Sequence, residues 1–165
     1  NRAERNAQLN ELENRMHFIH ADVKDFGKLW GTDLEGRVDV VTSNPPYTQA
    51  GGGLKSTNAA KAIARHETTA GLEDFMKCAS WLLKPGGDFF LVHRPSRLAD
   101  ICCMARTAGL EPKEMCFISA DRESAANIIL VHMVKGGGRQ LKGLDPVYVY
   151  EADGRYTEKI KECYR

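Results

Sequence analysis

Residues 38–47 read Val38-Asp39-Val40-Val41-Thr42-Ser43-Asn44-Pro45-Pro46-Tyr47. The first half of this segment is rich in β-branched residues, which favours a buried strand. The two prolines forbid the strand from continuing, because proline fixes φ and has no N–H to donate to a neighbouring strand. In open α/β sheets, ligands bind beyond the carboxyl ends of the strands. Asn44 and the residues after it are therefore expected to form a functional loop.

Helical and strand patterns alternate on both sides of this segment. The predicted helices span residues 1–12, 57–83 and 98–108. The predicted strands span residues 16–20, 38–42, 89–92, 115–119 and 127–134. The last two strands leave no room for a helix between them, which predicts an antiparallel hairpin at one edge. The pattern as a whole predicts a doubly wound α/β fold with a mostly parallel sheet.

The bulk composition is that of one soluble domain spanning residues 1–165. The chain has 165 residues and is 42% hydrophobic, enough for one ordinary core. It contains no apolar run near the roughly 20 residues of a membrane span and no signal peptide, so a cytoplasmic protein that does not enter the membrane is expected. The formal net charge of +1 excludes binding of nucleic acid by overall charge alone. Two local basic patches remain as candidates: Lys135 with Arg139 and Lys142, and Arg94 with Arg97.

The cysteines predict reduced thiols and no metal site. There are five, an odd number, with no Cys-x-x-Cys pair and no histidine at zinc-finger spacing. Cys102 and Cys103 are adjacent in a predicted helix and point to different faces, so they cannot share a metal ion.

The loop after residue 43 matches the Asn-Pro-Pro-Tyr signature of the amino methyltransferases that act on adenine, cytosine or glutamine amide nitrogens. The catalytic residues implied by this resemblance are Asn44, Pro45, Pro46 and Tyr47. The Asn44 side-chain oxygen and the Pro45 carbonyl would accept the two hydrogens of an exocyclic amine, whose lone pair is otherwise delocalised into the ring. Tyr47 would stack on a flipped-out base. The competing interpretation of the tetrapeptide is a rigid turn after a strand.

Asp22 ends the predicted strand that precedes this segment. In the same architecture a carboxylate there accepts a hydrogen bond from the adenine amine of the cofactor, beside the Val23 N–H. Asn44 would also border the cofactor. An isolated Asp at such a position is more often a helix cap. Both interpretations of Asp22 stay open on the sequence.

Three further segments resemble one subfamily, the bacterial tRNA (adenine-N6)-methyltransferases of the valine tRNA type. They are residues 60–67 (Ala-Lys-Ala-Ile-Ala-Arg-His-Glu), 83–87 (Leu-Lys-Pro-Gly-Gly) and 92–95 (Val-His-Arg-Pro). The resemblance implies a Rossmann-like fold, S-adenosylmethionine as cofactor and tRNA as partner. It also implies that Arg65, His66 and Arg94 border the substrate or cofactor cleft, where we expect them to bind the substrate.

The start of the chain departs from this family. No glycine-rich turn follows a first strand, so the fold is expected to lack its first two strands and the sequence to be amino-terminally truncated. Such a fragment would expose sheet edges, so we expect it to bind the cofactor poorly, to associate with another chain, such as a second copy of itself, or to need its missing part for stability. The alternatives are a methyltransferase for the glutamine amide of release factors, for rRNA or for DNA bases, and an inactive binding or oligomerisation fragment.

Overall fold

The computed structural model describes residues 2–29, 32–47 and 70–164. The α-helices are α1 (Arg2–Leu9), α2 (Phe26–Leu29), α3 (Leu72–Leu82), α4 (Leu98–Thr107) and α5 (Glu158–Glu162). The strands are β1 (Val38–Ser43), β2 (Leu83–His93), β3 (Leu110–Ser119), β4 (Ile128–Lys135), β5 (Lys142–Gly143) and β6 (Val147–Tyr148). Short 3-10 turns cover Val23–Asp25, Thr32–Leu34 and Pro95–Arg97.

These strands form one mixed sheet in the order β1-β2-β4-β3-β5, with β6 also paired to β3. β1 and β2 are parallel, as are β3 with β5 and β3 with β6. β4 is antiparallel to both β2 and β3. The carboxyl ends of β1, β2, β3 and β6 therefore lie at one edge of the sheet, called here the carboxyl edge. The predicted α/β fold with a carboxyl-terminal antiparallel hairpin is confirmed.

One face of the sheet, the inner face, packs against α3 and α4. Alternate residues of β2 and β4 point to this face, because side chains in a strand alternate with a period of two. The fully buried side chains of this core come from both the sheet and the two helices: Met76, Ala79, Leu83, Phe89, Leu91, Ile101, Ala105, Leu110, Ile129, Val131 and Met133. Gly109, with φ +75°, ends α4 and allows β3 to begin at once.

The opposite, outer face carries exposed apolar and polar side chains. Phe90 is 44% exposed and stacks on His132, with ring centroids 4.6 Å apart. The His132 Nε2 lies 2.7 Å from Asp88 Oδ1. β1 is the edge strand of the described sheet, and Val40 is 49% exposed on it. The prediction of a buried strand at 38–42 is therefore wrong in its burial, although the strand itself is present.

The strand predicted at 16–20 is absent. Its backbone pairs with no other described strand, and ladder hydrogen bonds to a neighbour are what make an extended segment a strand. Met16 and Ile19 are 42% and 53% exposed, so the apolar run that suggested a strand is not buried in the described part of the protein.

The helix predicted over 57–83 is described only from Leu72 to Leu82, and residues 57–69 lie outside the described part. β2 begins at Leu83 with no connecting loop. Residues 142–162 contain β5, β6 and α5, none of which was predicted. There, the Thr157 hydroxyl donates to the Tyr148 carbonyl at 2.7 Å. Within the described ranges, no helix has the length and apolar character that a membrane crossing requires.

Candidate active site

The Asn44–Tyr47 loop leaves the sheet at the carboxyl end of β1. Asn44 and Pro46 are exposed, whereas Pro45 is buried and Tyr47 is half-buried. The Tyr47 hydroxyl donates a hydrogen bond to Asn44 Oδ1 at 2.7 Å. An amide oxygen has two lone pairs, so Oδ1 retains one for a second donor. The loop thus presents an oriented, solvent-accessible acceptor where the sheet topology predicts a ligand site.

The neighbouring strand supplies the surroundings of Tyr47. His93, the last residue of β2, meets the tyrosine ring edge-on, with centroids 5.2 Å apart. The Arg94 guanidinium lies over the same ring, its Cζ 4.9 Å from the centroid. Arg94 Nη1 donates to the Asn127 carbonyl at the start of β4, at 2.9 Å. The last residue of β2 and the residue after it therefore hold Tyr47, and Tyr47 in turn orients Asn44.

His93 lies in the segment 92–95 that carries the family resemblance, but no role was predicted for it. It is 3% exposed, and its Nδ1 accepts the Arg94 main-chain N–H at 2.8 Å. Burial, followed by the positive charge of Arg97, lowers the pKa of His93. A neutral ring whose Nδ1 is an acceptor carries its proton on Nε2. The signal that could have found His93 is its place at the inner-face position that ends an apolar strand.

Two of the predicted cofactor residues, Asp22 and Val23, lie in the turn before α2. Asp22 Oδ1 accepts the Lys24 main-chain N–H at 2.9 Å, so the carboxylate caps the 3-10 turn that starts at Val23. The Phe26 ring packs against Trp81 of α3, with centroids 5.4 Å apart, and attaches this turn to the body of the protein. Asp22 remains exposed. The cap engages Oδ1, and Oδ2 lies 3.9 Å from Lys24 Nζ, beyond hydrogen-bond distance, so Oδ2 retains acceptor capacity for a ligand.

The other candidates have mixed outcomes. Arg65 and His66 lie outside the described residues. In the predicted basic patches, Arg97 pairs with Asp100 at 2.6 Å, and Lys135 Nζ donates to the Leu83 carbonyl at 2.7 Å. Both side chains therefore have structural partners. Arg94 also donates to the Asn127 carbonyl through Nη1, but its side chain is exposed and stacked on Tyr47. The described residues include no group of three or more His, Cys, Asp or Glu side chains suited to a metal ion.

The described elements form a Rossmann-like α/β methyltransferase fold. The fold is similar to the crystal structure of a predicted O-methyltransferase from Agrobacterium tumefaciens, with a TM-score of 0.74 and 22% identity, covering 97% of this chain and 69% of that one. The chain belongs to the tRNA1(Val) (adenine(37)-N6)-methyltransferase family, because it is 30% identical to the member from Porphyromonas gingivalis strain W83 over 96% of this chain and 67% of the relative.

A second relative with the same name, from Aeromonas salmonicida, is 26% identical and is matched over 95% of this chain and 62% of its own length. A third, from Aeromonas hydrophila, is 29% identical over 73% of this chain and 50% of its own length. The chain thus spans about half to two thirds of the length of these three relatives. No protein-family model matches the sequence.

Proposed function

We propose that the protein transfers a methyl group from S-adenosylmethionine to the exocyclic amine of an adenine in tRNA. The observation that carries this proposal is the Asn44–Tyr47 loop, in which an exposed amide oxygen at the carboxyl end of β1 is oriented by the Tyr47 hydroxyl at 2.7 Å. The names of the relatives support the substrate. Residues 1–165 form one methyltransferase domain in this proposal.

In this mechanism the loop raises the nucleophilicity of the amine. Asn44 Oδ1 accepts one amine hydrogen through its remaining lone pair, and the Pro45 carbonyl accepts the other. These two bonds draw the nitrogen away from planarity and align its lone pair for in-line attack. Pro45 and Pro46 restrict φ, so the acceptors are held before the substrate binds.

The rings around the loop suit a planar base. Tyr47 offers a π-face, and its other contacts, His93 and the Arg94 guanidinium, restrict its motion. A base that leaves its stack is stabilised by an aromatic ring and by hydrogen bonds to its edge. Arg94 is exposed and lies next to the loop, so it is suited to a phosphate of the same nucleotide or its neighbour. Arg65 and His66 complete the substrate residues of the proposal.

The donor and acceptor set of the Asp22 turn fits the cofactor. One carboxylate oxygen of Asp22 is engaged by the Lys24 N–H, and the exposed carboxylate retains acceptors for the amine of an adenine ring. The Val23 N–H would serve as the matching donor to a ring nitrogen. When bound, S-adenosylmethionine supplies an electrophilic methyl group on a sulfonium. Asp22, Val23 and Asn44 are the residues that would hold it.

The test is methyl transfer from labelled S-adenosylmethionine by the full-length gene product. Unmodified bulk tRNA, rRNA, DNA and release factor are offered separately, and the modified nucleosides or residues are identified by mass spectrometry. N6-methyladenosine in tRNA is the expected product. Label in rRNA, DNA or release factor instead would retain the chemistry and refute the substrate. No label in any of them would refute the function.

We propose further that the 165-residue chain, studied alone, associates with itself. Val40 on the edge strand β1 is 49% exposed, and the outer face exposes Phe90 and Leu130 at 44% and 37%. Exposed edges and apolar faces favour pairing between chains. Light scattering should therefore report a mass above 18.4 kDa for this chain. A monodisperse monomer would contradict the proposal.

A further inference from the structure

A second arginine lies over a tyrosine ring at the carboxyl edge, away from the candidate active site. The Arg122 Cζ is 4.8 Å from the centroid of the Tyr148 ring, which matches the 4.9 Å between Arg94 and Tyr47. Arg122 is in the loop that follows β3, and Tyr148 is the last residue of β6. Both strands run parallel to β2, so this pair and the Asn44 loop share one edge of the sheet.

The two pairs are separated along this edge by the width of the intervening strands. From β1 the strands passed are β2, β4, β3 and β6. Neighbouring strands are about 4.8 Å apart, and Arg122 and Tyr148 lie three to four strands from β1, so this pair is roughly 15 to 20 Å from Asn44. Arg94 lies between them, attached to the Asn127 carbonyl at the amino end of β4. Along the carboxyl edge, in the direction from β1 towards β6, Arg94 therefore comes first after the Asn44 loop and Arg122 comes second.

Arg122 is available to a ligand. It is exposed, and among the described residues it has no carboxylate partner. Asp121 beside it accepts the main-chain N–H groups of Glu123 and Ser124 at 3.0 and 2.8 Å, so that carboxylate is engaged within its own loop. Arg155, by contrast, is paired with a carboxylate at 2.6 Å. A tyrosine ring under a guanidinium restrains its plane and leaves its N–H donors free.

We propose that Arg122, restrained by the Tyr148 ring, binds a backbone phosphate of the RNA whose adenine enters the Asn44 loop. This inference rests on the proposed function. The RNA backbone then follows the carboxyl edge from Asn44 past Arg94 to Arg122. A planar guanidinium pairs with a phosphate through two parallel hydrogen bonds. Because the net charge of the chain is only +1, RNA binding must depend on such local contacts and not on the overall charge. A phosphate contact strengthens binding without specifying sequence.

The experiment compares Arg122→Gln with Arg37→Gln in the full-length gene product. Arg37 is also exposed, but it precedes the amino end of β1 and so lies at the opposite edge of the sheet. Binding of unmodified tRNA is measured by anisotropy across a salt series, and kcat and KM for methylation are measured beside it. Arg122→Gln should weaken binding roughly 5- to 10-fold and reduce the salt slope by about 0.7 to 0.9, with kcat unchanged. Arg37→Gln should match the unsubstituted protein.

Tyr148 variants separate the ring from its hydroxyl. Tyr148→Phe retains the ring and should bind tRNA normally, whereas Tyr148→Leu should lose part of the affinity that Arg122→Gln loses.

Equal affinity and salt slope for Arg122→Gln and the unsubstituted protein would overturn the inference, as would an equal loss of affinity in Arg37→Gln and Arg122→Gln. If the unsubstituted protein methylates tRNA while Arg122→Gln is unchanged, the inference alone fails. If the unsubstituted protein neither binds nor methylates tRNA, the proposed function fails as well.

Discussion

Replacement of Tyr47 by Phe tests whether the tyrosine hydroxyl acts through Asn44. The substitution removes the 2.7 Å hydrogen bond to Asn44 Oδ1 and keeps the ring that contacts His93 and Arg94. A neutral hydrogen bond contributes about 0.5 to 1.5 kcal/mol net. If this hydrogen bond orients Asn44 Oδ1 in the transition state, its loss should lower kcat about 2- to 12-fold, since 1.36 kcal/mol corresponds to a factor of ten. KM should change little because the ring remains.

Removal of the Asn44 amide should cost far more. In the proposed mechanism, Asn44→Ala deletes an acceptor for one hydrogen of the reacting amine, and loss of one such hydrogen bond at a reacting centre lowers kcat by roughly two to three orders of magnitude. In the double variant, the Tyr47 hydroxyl has no amide left to orient. Tyr47→Phe should therefore cause no further loss when Asn44 is already Ala.

The assay is steady-state methyl transfer into unmodified tRNA by the full-length forms of all four proteins, with melting temperatures measured to show that each is folded. A double variant that is slower than Asn44→Ala by the same factor as Tyr47→Phe alone would show that the hydroxyl acts independently of Asn44. That result would refute the positioning argument. Normal turnover by Asn44→Ala would refute the assignment of the loop itself.

Two further predictions concern stability. The pKa of His93 is lowered from its ordinary value of 6.5, so protonation of His93 favours the unfolded state. The stability that depends on neutral His93 is therefore complete above pH 6.5 and is lost as the pH falls below that value. In chemical denaturation between pH 8 and pH 5, the free energy of unfolding should fall less for His93→Gln than for the unsubstituted protein, and equal falls would contradict the burial argument. A Cβ on Gly87 would lie 3.0 Å from the main-chain oxygens of Asp39 and Lys84, so Gly87→Ala should lower the free energy of unfolding by about 1 to 3 kcal/mol. A Cβ on Gly138 would have no atom within 4 Å, so Gly138→Ala should change the free energy of unfolding by less than about 1 kcal/mol. Equal melting temperatures for these two variants would show that the backbone yields at Gly87.

Local patterns were sufficient for most of the fold. The helix ended by Gly109 and the hairpin of β3 and β4 were predicted because their apolar periods and turn residues are written in consecutive residues. The prediction of a strand at 16–20 was wrong because strand pairing depends on a neighbouring strand, which a short apolar run does not specify. β5 and β6, only two residues each, carry too short a pattern to be recognised and exist through their pairing with β3.

The sequence by itself determined the α/β class, the position of the loop at Asn44 after a strand and the family resemblance, because each depends on residue types at fixed local spacing. Only the tertiary structure decided which side chains meet that loop. His93 and Arg94 contact Tyr47 because β2 lies parallel to β1, and Arg122 reaches Tyr148 because β6 pairs with β3. Such contacts join residues that are far apart in the chain, so they arise from strand order, which local propensity does not encode.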